Sequence, residues 1–225
     1  MFTRQKVGII LAEFVATFLL ATVFIAAASY FNFTAPWYVS IAVGIAYAMT
    51  HTVFSKISGA HANPAITIGL WTLRKIPSVN AIIYVSAQLL GGVLSLAFVE
   101  YVTGTDILSQ GLSSVDGRIF LSEMVGAALF GTGVAAVIMQ KLEGLQASFT
   151  VGISLTVGVL IASIASVGYI NPAVSLANNT WDLTVVIAPV IGVILGMNTY
   201  SLFFAPEKSL LQRNSRKLKT STRKK

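Results

Sequence analysis

Apolar positions in this chain neither alternate nor recur every third or fourth residue; they run on unbroken. Six stretches, near 7–29, 37–55, 79–102, 117–140, 145–166 and 183–205, are almost free of charge. A bilayer core of about 30 Å takes roughly 20 helical residues, and a helix satisfies its own backbone polar groups without water. The pattern therefore predicts an all-α membrane protein with six spans. The first run ends in Ala26-Ala27-Ala28, small residues of the kind a signal peptidase accepts. It is nevertheless too long for a signal segment and holds Glu13, so it reads as a span.

Two further segments break the pattern. Residues 57–74 read ISGAHANPAITIGLWTLR and residues 164–180 read IASVGYINPAVSLANNT. Each has a glycine-containing approach, then Asn63-Pro64-Ala65 or Asn171-Pro172-Ala173, then an apolar run too short to cross. Proline at the first helical position behind an asparagine cap is a helix-start signal, so each segment predicts a half-helix of about ten residues. From average composition, two copies of such a tripeptide arise by chance in roughly one chain in a thousand. The spacing argues further against chance: Glu13 precedes Asn63 by fifty residues and Glu123 precedes Asn171 by forty-eight. Repeat halves of about 1–110 and 111–205, with three spans each, make the second copy enter inverted. Irregular backbone at membrane depth must be buried in protein or line a water-filled path, and inverted repeats bring such broken helices together near the midplane.

Composition narrows the class. The 225 residues are 55% hydrophobic and 10% charged, with a mean hydropathy of +0.79; a soluble domain carries about 25% charged residues. Cysteine is absent, and the spans hold no His/Asp/Glu cluster, so no metal, cofactor or acid–base pair is implied and the chain does not read as an enzyme. The net charge of +7 has a location: residues 206–225 hold eight basic groups and Glu207, while residues 1–205 balance seven against seven. Nucleic acid is therefore not an expected partner. Placing the N-terminus in the cytoplasm puts fourteen of the fifteen basic residues inside, with only Arg118 outside, which satisfies the positive-inside rule. Both termini are then cytoplasmic in a cell membrane. The basic tail, 206–225, is solvated there and can touch anionic lipid, at about 1 kcal/mol per basic residue near the surface.

The sequence resembles the aquaporin, or major intrinsic protein, family over residues 7–205. The resemblance rests on Ser58-Gly59-Ala60-His61-Ala62-Asn63-Pro64-Ala65, on Asn171-Pro172-Ala173, and on Ala87-Gln88 with Gly91. Glu13 with Thr17-Phe18 and Glu123 with Gly126 add to it. It implies six transmembrane helices plus two re-entrant half-helices, a homotetramer with one pore per subunit, and passive passage of water and small neutral solutes. Two half-helix N-termini aimed at one spot place about half a positive charge each there, which repels cations. Asn63 and Asn171 offer amides to a solute, and the carbonyls of Gly59, Ala60, His61 and Ala62, and of Val167 to Ile170 (Gly168 and Tyr169 included), offer an acceptor wall.

Glu13 and Glu123 have two readings, proton coupling or acceptance of loop backbone N–H groups; their symmetry-related placement favours loop support. His61 is a pore contact or loop scaffold, and His51 an interface residue rather than a gate. Gly91, Gly92 and Gly126 suit close helix approach.

One departure from the family matters for substrate. Its members usually place Arg directly after the second Asn-Pro-Ala, where this chain has Val174. By the family's spacing the other constriction members are Val43, Val159 and Gly168. Three valines and a glycine predict a wide apolar filter, which suits glycerol, urea or undissociated metalloid acids as well as water. A strict water channel is the alternative, because Ser175 stands where glycerol-type relatives place Asp. Tyr169, beside Gly168, can refill part of the gap. A secondary transporter also uses inverted repeats, but the spans offer no coupling residues beyond the two glutamates.

Overall fold

Each uncharged run becomes one helix, and each Asn-Pro-Ala starts a short one. The computed structural model describes residues 3–30, 33–109 and 116–206. From residue 207 onward the basic tail lies outside the described residues, as does the boundary near 110 between the halves. The helices are α1 (Arg4–Tyr30), α2 (Pro36–Phe54), α3 (Pro64–Thr72), α4 (Ser78–Thr103), α5 (Gly117–Gln140), α6 (Gly144–Ala162), α7 (Pro172–Ala177) and α8 (Leu183–Phe203). Among the described residues there is no strand. Among the described residues six helices, all but α3 and α7, are long and apolar enough to cross a membrane. Their outer faces carry exposed apolar side chains such as Ile82, Leu145 and Phe149, the surface expected of a protein solvated by lipid.

Two boundaries differ from the sequence expectation, for local reasons. The fifth span stops at Ala162 rather than 166, because Ser163 to Ser166 form turns that bring the Ser166 hydroxyl to Glu123. Half-helix α3 has nine residues, but α7 has only six. Asn179 adopts a left-handed φ of 51° and the Thr180 N–H returns to the Ser175 carbonyl at 2.9 Å, closing the helix. The Asn178 side chain also donates to the Val174 carbonyl at 2.9 Å.

The packing repeats between halves. Helix α1 lies on α2 and α4, and α5 on α6 and α8; α2 crosses α6 between the halves. Each half-helix packs against the last span of the other half, α3 on α8 and α7 on α4. Glycines make the crossings possible. A Cβ on Gly44 would lie 2.8 Å from the Gly152 carbonyl oxygen, and one on Gly152 2.7 Å from that of Gly44. A Cβ on Gly158 would meet the Gly126 carbonyl at 2.7 Å, and one on Gly91 the Phe14 carbonyl at 2.5 Å. Gly92 likewise abuts the carbonyl of Ala173, seating α4 against the second Asn-Pro-Ala. Helix α1 begins and α8 ends on one face of the bundle, the terminal face. At the start of α5, on the opposite face, Asp116 caps the helix and pairs with Arg118 at 2.9 Å, which lowers its carboxyl to about 2.

Candidate functional site: two half-helices meeting end to end

Each half-helix begins the same way. Asn63 Oδ1 accepts the Ala65 N–H at 2.8 Å, and Asn171 Oδ1 accepts the Ala173 N–H at 3.0 Å. With the oxygen turned to its own helix, each amide nitrogen faces the other half. Asn63 Nδ2 donates to the Ile170 carbonyl at 3.0 Å, and Asn171 Nδ2 donates to the Ala62 carbonyl at 2.9 Å. The two approach loops are thus clasped reciprocally, with both asparagines buried. An amide nitrogen carries two protons. One is committed on each asparagine, and one remains.

The loops behind these residues hang on the two buried carboxylates. Glu13 Oε1 accepts from Ser58 Oγ at 2.6 Å and from the His61 N–H at 3.0 Å. Its Oε2 accepts from the Ala62 N–H at 2.9 Å and from Gln88 Nε2 at 2.7 Å. In the second half Glu123 Oε1 accepts from the Ser166 hydroxyl and, at 2.9 Å, from the Tyr169 N–H; Oε2 accepts the Ile170 N–H at 2.7 Å. The donors match position for position, except that Gln88 has no counterpart. These bonds hold the loops in a conformation they would otherwise avoid. Ala60 and Ala62 have φ of 49° and 46°, and β-branched Ile170 has 38°, a region that costs non-glycine residues about 1–3 kcal/mol each.

The acceptor wall is less open than the sequence suggested. Tyr47 Oη donates to the Ala60 carbonyl at 3.1 Å and to that of His61 at 3.2 Å, while Tyr84 Oη takes Ser58. The Ala62 and Ile170 carbonyls hold the two asparagines, and Val167 receives a long contact from Ser163 Oγ at 3.4 Å. The carbonyls of Gly59, Gly168 and Tyr169 take no donor among the described residues. An engaged carbonyl still keeps a second lone pair. Tyr47 and Ser166 escaped the sequence reading. A serine five residues before each asparagine was the available signal for Ser166.

On the terminal face a cavity of about 740 Å³ leads toward the asparagines, with Tyr47, His51, His61, Ile66, Val134 and Val151 in its wall. His61 is held by Thr67 Oγ1 at 3.1 Å and its ring lies tilted against that of Tyr84, centroids 5.0 Å apart; His51 Nδ1 meets Ser148 Oγ at 3.0 Å. Toward the opposite face, Val43, Val159 and Val174 are each at most 2% exposed, on α2, α6 and α7 respectively. Gly168 lies against Val159, whose Cγ1 would be 3.2 Å from a Cβ placed there.

The model of a family described as Major intrinsic protein matches residues 2–200. Aquaporin AqpM of Methanothermobacter thermautotrophicus is 30% identical over 183 residues, covering 72% of this chain and 74% of the relative. Aquaporin Z of Photorhabdus laumondii is 28% identical over 193 residues, 76% of this chain and 84% of the relative. In fold, the chain is similar to the solved aquaglyceroporin from Plasmodium falciparum, with a TM-score of 0.71 at 21% identity, over 88% of this chain and 96% of that one.

Proposed function

This chain belongs to the major intrinsic protein family of membrane channels, and we propose that it conducts water together with larger neutral solutes such as glycerol, urea or undissociated metalloid acids. The observation that carries the reading is the crossed pair of asparagines. Each leaves one N–H uncommitted where two half-helix N-termini meet. Those N–H groups offer a solute oxygen a replacement for lost hydration, and the converging helix dipoles repel cations. Val43, Val159, Gly168 and Val174 form the filter and make it apolar, with no side chain larger than valine and no fixed cation after the second Asn-Pro-Ala. The donor sets around Glu13 and Glu123 support a loop-holding role for both carboxylates rather than proton coupling. The working form is a homotetramer in the cell membrane, with both termini in the cytoplasm and no enzymatic step.

Stopped-flow light scattering on proteoliposomes tests this with water, glycerol, urea and a neutral metalloid acid. Flux of each should rise linearly with its gradient and ignore ion gradients; saturation or uphill accumulation sinks the channel reading. Val174→Arg should cut glycerol relative to water by about tenfold or more, the scale on which a mismatched apolar site discriminates. If that variant conducts glycerol as fast as the parent, the wide-filter account fails and a strict water pore must be weighed by the parent's own glycerol rate.

A further inference from the structure

The two halves correspond by nearly constant offsets. Asn171 follows Asn63 by 108 residues, Ser166 follows Ser58 by the same number, and so does Gly152 after Gly44. These pairs are equivalent in contact as well as in count, since each asparagine clasps the other's loop and each of these glycines faces the other's carbonyl. In the first helix of each half the offset is 110, from Glu13 to Glu123, and both carboxylates take the same two loop N–H groups.

These offsets map the wall of the terminal-face cavity onto the opposite side. Val151, His51 and Ile66 map onto Val43, Val159 and Val174. Of the remaining three, Tyr47 maps onto Leu155, and His61 and Val134 map onto Tyr169 and Phe24. Phe24 stands eleven residues beyond Glu13, three helical turns along nearly the same face of α1. The mapped pair is in contact: the rings of Phe24 and Tyr169 lie 5.5 Å apart at 32°, with Phe24 1% and Tyr169 3% exposed. The Tyr169 backbone is pinned through its N–H to Glu123 at 2.9 Å. Its hydroxyl reaches Thr180 Oγ1 only at 3.4 Å. The ring, more than the hydroxyl, is therefore what this position contributes.

We propose that Tyr169, backed by Phe24, sets the upper solute size on the opposite-face side of the crossed asparagines, beside Gly168 and the three valines. This rests on the channel reading above and adds to it a limit that the four filter positions do not supply. An aromatic ring is a large rigid body with few rotamers, so it excludes by bulk where a valine would admit. Small polyols and urea pass; longer polyols are held back.

The test compares glycerol and a four-carbon polyol with water in proteoliposomes. Tyr169→Ala keeps the N–H bond to Glu123 and should raise both polyol-to-water permeability ratios by about tenfold, with Phe24→Ala moving them the same way. Tyr169→Phe should match the parent. Tyr169→Trp, which keeps the space filled should the alanine variants not fold, should lower the ratios. Parental ratios in Tyr169→Trp or in Tyr169→Ala, with water flux retained, overturn the proposal, as does a Tyr169→Phe that behaves like Tyr169→Ala. A parent with no facilitated flux at all would instead overturn the channel reading on which this one stands.

Discussion

Glu13 and Glu123 hold their loops with unequal help, and the difference is chemical. Glu13 has two adaptable donors, Ser58 and Gln88, besides two backbone N–H groups; Glu123 has Ser166 and two backbone N–H groups. A serine hydroxyl can turn to accept, and a glutamine amide can flip, but a backbone N–H can only donate. Changing either glutamate to glutamine replaces one acceptor oxygen by a donor and strands one backbone N–H in each loop. Each variant should therefore lose about 1–3 kcal/mol, the usual cost of an unsatisfied buried donor. Thermal unfolding in detergent reads this directly; a parental midpoint for both variants would show that the carboxylates do not support the loops. Residue identity at Asn63 and Asn171 was legible in sequence because capping chemistry is local. Their long-range bonds were not, since the partner carbonyls of Ile170 and Ala62 lie more than a hundred residues away.

Between elements, closeness is decided where two backbones touch. Gly44 and Gly152 face each other across α2 and α6, each leaving no room for a Cβ on the other. Gly152→Ala should cost about 1–3 kcal/mol, the range for overpacking a tight contact, and should lower the yield of monodisperse protein. A variant as stable as the parent would mean that α2 and α6 slide apart without penalty. The six spans and the start of each half-helix could be read ahead of the structure, because hydropathy runs and an Asn-Pro step act within a turn or two. The length of α7 could not. It depends on Asn179 taking a left-handed turn and on Thr180 bonding back to Ser175, a closure more often signalled by glycine. For the same reason the donors along the acceptor wall are not legible in the sequence: Tyr47 reaches Ala60 and His61 from α2, and nothing near those residues announces it.

At the scale of the molecule, neither half completes the site by itself. The α3 loop ends on a carbonyl that the second half's asparagine must engage, and the α7 loop ends on one that the first half's must engage. A ribosome makes the halves in order, the N-terminal one first. Until the second half follows, the first loop lacks its clasp, and its strained residues are braced only from within the first half, by Glu13, Tyr47 and Tyr84. The reciprocal clasp therefore requires the second Asn-Pro-Ala, which is made last. In a chain truncated after Gln140, a cysteine introduced at Ala62 should react readily with a small water-soluble maleimide, whereas the full chain should protect it; equal protection in both would place closure earlier. The same pair of bonds that joins the two approach loops is therefore also a checkpoint on assembly, since neither loop is clasped until both halves are made.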